Sequence, residues 1–350
     1  MTLPNTSTQV IIDLNKILNS NDATEIKRMQ QEFESNGWCF IILPSELIPT
    51  SVLTHELSEF FQQADGTKRR YTQRVPIYGY SKVDHKEGIK LLTGSYYGKL
   101  ANKSLIPRQL VHPLNYLSQA FDVVTKRLIE ILDQHCVFQS QPSLSTLIEE
   151  ANLPPKDEHF GMLNIVSYFN DKNGFQPPIN GQSTEEVNCV PHYDPGLLSV
   201  SVMSTHEGLQ LKDMITNQWI DGPLQANIGV IWLGEAAARV TQNRLKPGVH
   251  RVIYPQKAGL RLTVWYEVCT ITQLKNLSDE KQNKIMADGS VTFDNLPGSD
   301  PITVRSGETK LEFLRRVEMA RGLSMSKSGP PRYQLEKHDI SYSTNDSKVE

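Results

Sequence analysis

Apolar residues recur along this chain with two different periods, and the change from one to the other divides it. In the first part the spacing is helical. Ile26, Met29 and Phe33 share one face of a helix that Asp22 can cap; Glu25 completes a capping box and Asn36-Gly37 ends the helix. A second helix is predicted over 51–63. A long one is predicted from about Pro113, a favourable first-turn residue, to His135, with Leu114, Leu117, Phe121, Val124, Leu128 and Leu132 as its apolar stripe. A shorter helix is predicted to start near Ser143. Two strands are predicted among these helices, at 10–14 and over the aromatic and β-branched run 38–42. The stretch 74–99 is rich in Tyr, Gly and charge, and is predicted to form loops with short strands.

From Met162 onward the period shortens. Apolar segments at 163–169, 187–190, 197–203, 208–211, 228–233, 249–254 and 260–270 are separated by Gly, Pro and Asn, which argues for a sandwich or barrel. The polar segment 171–187 is predicted to be an exposed loop. After Thr272 the chain turns polar again, with a helix predicted over 310–321 and a disordered tail from about His338. Helices first and strands after make the class α+β. The expected divisions are 1–155, a helical region whose strands join the core; 156–272, the β-rich core; and 273–350, a C-terminal extension.

Composition narrows the functional classes. The chain has 350 residues and a net charge of −3, so electrostatics gives no reason to expect nucleic acid or a membrane surface as partner. No apolar run approaches the ~18–20 residues that span a bilayer. The N-terminus lacks the basic start and apolar stretch of a signal peptide. Cys39, Cys136, Cys189 and Cys269 stand singly, as expected of reduced thiols in a cytoplasmic protein. A small-molecule substrate and a monomeric state are expected.

The candidate chemistry lies in the β-rich part. His192-Tyr193-Asp194, His250 and Arg261-Leu262-Thr263 form a spaced set. Two imidazoles and a carboxylate can hold iron(II) on one face and leave the other open. His-x-Asp alone is weak evidence, because 9 His and 39 acidic residues in 350 give about one such match by chance. His85-Lys86-Glu87 is a second match, in a charged segment with no apolar strand around it, and reads as a solvated loop. His192 differs in following an apolar strand and a proline. On a strand, residues two apart share a face, so His192 and Asp194 are expected to point inward together, and Arg261 and Thr263 likewise.

These residues carry a resemblance. Residues 187–268 resemble the core of the plant-type 2-oxoglutarate/Fe(II)-dependent dioxygenases and isopenicillin N synthase-like enzymes. The likeness runs through Pro191-His192-x-Asp194-x-Gly196, Gly208-Leu209-Gln210, Trp219-Ile220, Gly234-Glu235, Thr241, Asn243, His250-Arg251-Val252 and Arg261-x-Thr263. Ile12-Asp13-Leu14, Asn36-Gly37-Trp38-Cys39-Phe40 and Glu59-Phe60-Phe61 with Lys68 are similar to the family's N-terminal part. The resemblance implies a double-stranded β-helix (jelly-roll) core flanked by helices. It implies Fe(II) on His192, Asp194 and His250, and 2-oxoglutarate as co-substrate on Arg261, Thr263 and Tyr168. It also implies O₂ as oxidant and ascorbate as a supporting reductant. The activity implied is hydroxylation, desaturation or cyclisation of a small metabolite with release of succinate and CO₂.

Departures are visible. Tyr193 stands where the family has Thr, Thr263 where it has Ser, and only Tyr168 survives of the family's Asn-Tyr-Tyr-Pro segment. Tyr193, Tyr80, Tyr97 and Trp265 are the candidates for the substrate-pocket wall. Three other readings stay open: an iron oxidase of the same fold that uses no 2-oxoglutarate, a ligand-binding protein without turnover, and a cupin-like zinc or nickel enzyme.

Overall fold

The computed structural model describes residues 9–72, 79–83, 86–94, 99–100, 103–136, 143–145, 159–169, 187–194, 196–241, 244–253, 260–269, 323–325 and 331–333. Two β-sheets face each other, and helices cover the outer face of the larger one. The larger sheet has the order β1-β2-β10-β7-β12-β5-β4-β3, and the smaller β6-β11-β8-β9. The strands are β1 Ile11–Asp13, β2 Trp38–Ile42, β3 Gly79–Val83, β4 Lys86–Gly94, β5 His159–Phe169, β6 Val187–His192, β7 Leu198–Ser204, β8 Leu209–Lys212, β9 Trp219–Asp221, β10 Ile228–Leu233, β11 His250–Ile253 and β12 Leu260–Val268. Leu323–Met325 and Pro331–Tyr333 pair antiparallel as β13 and β14.

Period-two alternation in the larger sheet separates two environments. On β12, Leu262, Val264, Tyr266 and Val268 join the core cluster that also holds the buried stripe of α5 (Arg108–Cys136). Phe121 of that helix stacks on Tyr266 with ring centroids 5.0 Å apart. The intervening Arg261, Thr263 and Glu267 are also buried, and face the smaller sheet. Ile89 and Leu91 of β4, Leu163 and Ile165 of β5 and Val200 of β7 extend the helix-facing side. The space between the sheets is lined instead by Trp38, Phe40, Leu209, Leu211, Val230 and Trp232, and by Val166, Tyr168 and Val252 with Trp265 against both sets.

Most elements lie where the periodicity puts them, and the exceptions have physical reasons. Asp22 caps α2 (Ala23–Ser35) by accepting from the Thr24 and Glu25 amides. Glu25 leaves the expected capping box. Its carboxylate takes the Asp13 amide at 2.9 Å and the Arg28 guanidinium at 2.6 Å, tying α2 to the end of β1. A short helix the pattern did not mark, α1 (Leu14–Ser20), fits between, capped by Asp13. Helix α3 (Ser51–Gln62) follows prediction. Helix α5 begins at Arg108, so Pro113 lies inside it and not in its first turn. Burial of Leu110 and Leu114 outweighs the one helical hydrogen bond a proline forfeits. Strand β9 and the six-residue helix α6 (Glu235–Val240) went unmarked because they are too short to show a period. The predicted helix at 310–321 and the tail lie outside the described residues; of the helix near Ser143, only 143–145 are described, with helical geometry beginning at Ser145.

The largest departure is at 86–94. This charged stretch forms β4, paired along its whole length with β5 and, through 79–83, with β3. Helix α4 (Asp65–Lys68) puts a lysine beneath it. Lys68 Nζ lies 2.6 Å from Glu87 Oε2 and donates also to the Phe61 carbonyl, while the Tyr80 hydroxyl donates to the same Oε2 at 2.5 Å. All three side chains are buried.

Gly37 needs its missing side chain. It has φ +75°, and a Cβ would fall 2.5 Å from the Lys246 carbonyl oxygen and Pro247 carbonyl carbon. Gly37→Ala is therefore expected to cost about 2–4 kcal/mol, the sum of a left-handed backbone penalty and overpacking against rigid backbone. A urea midpoint unchanged from wild type would contradict this.

Candidate metal centre and co-substrate pocket

His192 ends β6 and His250 begins β11, and the two are direct cross-strand partners. Their rings lie 4.3 Å apart. Asp194 is two residues beyond the end of β6, so the period-two argument does not place it. Backbone contacts with the start of α6 do. The Glu235 amide donates to the Asp194 carbonyl at 2.8 Å and the Ala236 amide to Gly196 at 3.2 Å. Gly234 and Gly196 let these two segments touch: a Cβ on Gly234 would sit 2.1 Å from the Gly196 carbonyl oxygen.

Two of the three ligand candidates, Asp194 and His250, are oriented by their other polar atom. The Asp194 Oδ2 accepts from Ser199 Oγ at 2.6 Å and from Trp232 Nε1 at 2.7 Å. That leaves Oδ1, which lies 4.0 Å from His192 Nε2 and 3.9 Å from His250 Nε2. His250 Nδ1 faces the Gly248 carbonyl at 3.1 Å; as donor there, it keeps its proton away from Nε2. One ligand atom from each of the three residues lies within 4.8 Å of the others. Burial pushes the His250 imidazole down to about 4, so it is the neutral form that faces the site. Burial alone would raise the Asp194 carboxyl, but the flanking imidazoles and the Ser199 and Trp232 donors hold it below its usual range. Two imidazole nitrogens and an ionised carboxylate are a donor set suited to iron(II).

Further along the inner face of the larger sheet, Lys86, Tyr168 and Arg261 lie in register across β4, β5 and β12. The Arg261 guanidinium is fully buried. It donates from Nε to Ser204 Oγ at 3.0 Å and stands 5.2 Å from the centre of the Tyr168 ring. Its Nη1 has no hydrogen-bond partner among the described residues. A buried guanidinium nitrogen without an acceptor is costly, and a ligand carboxylate is the acceptor its geometry suits. Thr263 is on the same face, but its hydroxyl donates to the Met203 carbonyl at 2.8 Å. Its one proton is thus committed to the protein. Cys189 lies between the two ends of the pocket. Burial opposes its ionisation, yet the Lys86 ammonium and His192 outweigh that and hold the thiol down at about 6.

Of the wall candidates, Trp265 is half-buried between the two sheets and packs on both inner clusters. Tyr193 is half-buried between two ligands. Tyr80 corrects the expectation: it pairs with Ile89, faces the helices and spends its hydroxyl on Glu87. Tyr97 and the decoy His85 lie outside the described residues. Sequence reasoning missed Ser199, Trp232 and Ser204, whose roles depend on cross-strand neighbours. It also missed Lys86 and Lys90, although Gly88-Ile89-Lys90-Leu91 carries a short alternation that could have marked a strand.

Residues 161–270 match the 2OG-Fe(II) oxygenase superfamily. This segment spans β5 to β12 and contains the three metal-ligand candidates together with Arg261. The chain carries a 2-oxoglutarate/Fe(II) oxygenase domain. Sixty-two residues are 34% identical to the 2-oxoglutarate-dependent dioxygenase citB of Monascus ruber, covering 18% of this chain and 19% of that protein. The chain thus aligns with about a fifth of that curated relative. Among solved structures, the dioxygenase for auxin oxidation 1 of Arabidopsis thaliana, bound to 2-oxoglutarate, superposes with a TM-score of 0.57 at 16% identity, over 74% of this chain and 92% of that one. The dioxygenase for auxin oxidation of rice gives 0.55 at 15% identity, over 93% and 97%. At such identities the likeness carries the fold alone: the oxygenase domain is a jelly roll, with β1–β4 widening its larger sheet.

Proposed function

We propose that this protein is an Fe(II)- and 2-oxoglutarate-dependent oxygenase acting on a small organic metabolite. The observation that carries the reading is the buried Arg261 with its unsatisfied Nη1, on the face that also looks toward His192, Asp194 and His250. His192, Asp194 and His250 would hold the iron through Nε2, Oδ1 and Nε2. Arg261 would take the far carboxylate of 2-oxoglutarate, with the Tyr168 hydroxyl beside it. Bound together, the metal and co-substrate supply oxygen activation coupled to oxidative decarboxylation, giving succinate and CO₂.

The chain's own residues do the rest. Ser199 and Trp232 fix the carboxylate that faces the metal, and Gly248 fixes the His250 tautomer. Val166, Val252 and Trp265 keep water from the space where substrate and co-substrate meet. The plant-type grouping belongs to this proposal and rests on the motifs quoted above. So do a cytoplasmic location and a monomeric state. All four cysteines are free thiols, and no helix among the described residues is long and apolar enough to cross a membrane.

Arg261→Lys tests the reading. The charge stays, but the planar fork is lost. The affinity for 2-oxoglutarate, measured calorimetrically on the Mn(II)-loaded protein, is expected to fall by about tenfold or more. An unchanged affinity would remove Arg261 from the pocket. Failure of the wild type to bind 2-oxoglutarate at all would sink the assignment.

A further inference from the structure

The co-substrate reading leaves one half-buried ammonium group without a role. Lys86 and Lys90 both stand on the inner face of β4, because Glu87, Ile89 and Leu91 between and beyond them face the helices. Lys90 is in register with Asn164 of β5 and, through it, with Trp265 of β12. Among the described residues, neither lysine has a hydrogen-bond acceptor or a carboxylate within ion-pair distance. Lys68, buried on the opposite side of the same strand, shows what a structural lysine looks like here: a carboxylate and a carbonyl, both within 2.8 Å.

The two inner lysines differ. Lys86 stands 5.7 Å from the centre of the Tyr168 ring, and its charge raises the ionisation of nearby Cys189. It belongs to the Arg261 end of the pocket. Lys90 makes no ion pair or hydrogen bond among the described residues, although Glu267, Asp194 and Cys269 are close enough to favour its charged form. Glu267 of β12 is the nearest opposite charge on the inner face by register, and its Oε1 accepts from the Gly196 amide. Burial holds the Lys90 ammonium below its usual range, with Glu267 opposing and Lys86 adding to the effect. A desolvated charge without a partner is costly, and such a cost persists where a ligand removes it.

Its position shows which ligand. Lys90 is four residues along β4 from Lys86, about 13 Å at strand rise. The row of Lys86, Tyr168 and Arg261 marks the far end of the co-substrate site. The row beyond Lys90 contains Glu267 paired with Ser199, and Ser199 holds Asp194. Lys90 is therefore at the level of the metal centre, where a primary substrate must sit. Gly88, between the lysines, adds no side chain that would separate them from the interior.

We propose that Lys90 receives the carboxylate of the primary substrate, which makes the substrate class a small organic acid with an apolar body packed on Trp265. This rests on the oxygenase reading. It places the acid group opposite the site of oxidation and leaves the apolar portion toward the metal.

The test uses protein loaded with Mn(II) and 2-oxoglutarate. The probes are benzoate, phenylacetate, 3-phenylpropanoate and 4-phenylbutanoate, each with its primary amide, followed by ligand-observed NMR and calorimetry. At least one acid is expected to bind about tenfold more tightly than its amide. Lys90→Met should erase that preference and Lys90→Arg should keep most of it, with 2-oxoglutarate affinity unchanged in both. Circular dichroism confirms that the variants fold. Equal binding of acids and amides, binding of no acid, or an acid preference that survives Lys90→Met overturns the proposal. A Lys90→Met variant that loses 2-oxoglutarate affinity also overturns it, by moving the lysine to the co-substrate. Loss of 2-oxoglutarate binding in the wild type would instead defeat the oxygenase reading, and the acid–amide comparison would still be read on the Mn(II) protein.

Discussion

Asp194→Ala is expected to abolish metal binding and, with it, all substrate-dependent succinate formation. Asp194 is the anionic member of the three ligand candidates. Changes in groups that merely orient a ligand typically cost about 10–100-fold in metal affinity. Loss of the anionic ligand itself should exceed that range. The structure adds a second consequence. Ser199 Oγ and Trp232 Nε1 both donate to Asp194 Oδ2, and both would lose their acceptor. Each deserted donor costs about 1–3 kcal/mol if no water replaces the carboxylate. The variant should therefore melt below the metal-free wild type, besides failing to gain stability from metal. A Mn(II) titration followed by electron paramagnetic resonance, with a melt on the same sample, checks both. A variant that binds Mn(II) like wild type would remove Asp194 from the site.

The largest expected effect on stability lies elsewhere, in the Lys68–Glu87–Tyr80 network. Lys68→Met keeps the length of the side chain and removes its charge. Glu87 would be left buried with only the Tyr80 hydroxyl to face it. Breaking one partner of a buried ion pair costs about 3–5 kcal/mol, whereas replacing both partners is often close to neutral. The double variant Lys68→Met/Glu87→Gln should accordingly recover a large part of the loss. Urea denaturation of the two single variants and the double closes the cycle. Additive losses would mean that the pair contributes no coupling and that the network is incidental.

The cluster of metal-ligand candidates and the long helices were legible in the sequence for a simple reason. They follow short-range rules: a strand approached by a proline, a histidine at the start of another strand, leucines at helical spacing. What escaped depends on pairing between distant strands. Nothing near Trp232 or Ser199 in the chain says that both will donate to one carboxylate 38 and 5 residues away. Asp194 was grouped with His192 by strand alternation, but contacts with α6 fix its backbone. Thr263 was read as a donor to the co-substrate, and only the register with β7 shows the Met203 carbonyl taking its proton. Segment 86–94 was misjudged because its charges look solvated in isolation. Of these charges Glu87 is buried and paired with Lys68, and Lys90 is half-buried with no ion pair among the described residues.

Strand β4 thus has one face held in place and one face at liberty. Glu87, Ile89 and Leu91 lock its register against the helical layer, so a slip by a single residue would expel the whole set and is strongly disfavoured. Positions 86 and 90 carry no such duty, whereas a Cβ at Gly88 would fall 2.9 Å from the Ile165 carbonyl oxygen. Substitutions at 86 and 90 would redraw the two ends of the interior while the scaffold behind stays as it is. A combinatorial library confined to positions 86 and 90 is the most economical way to give this jelly roll a new selectivity.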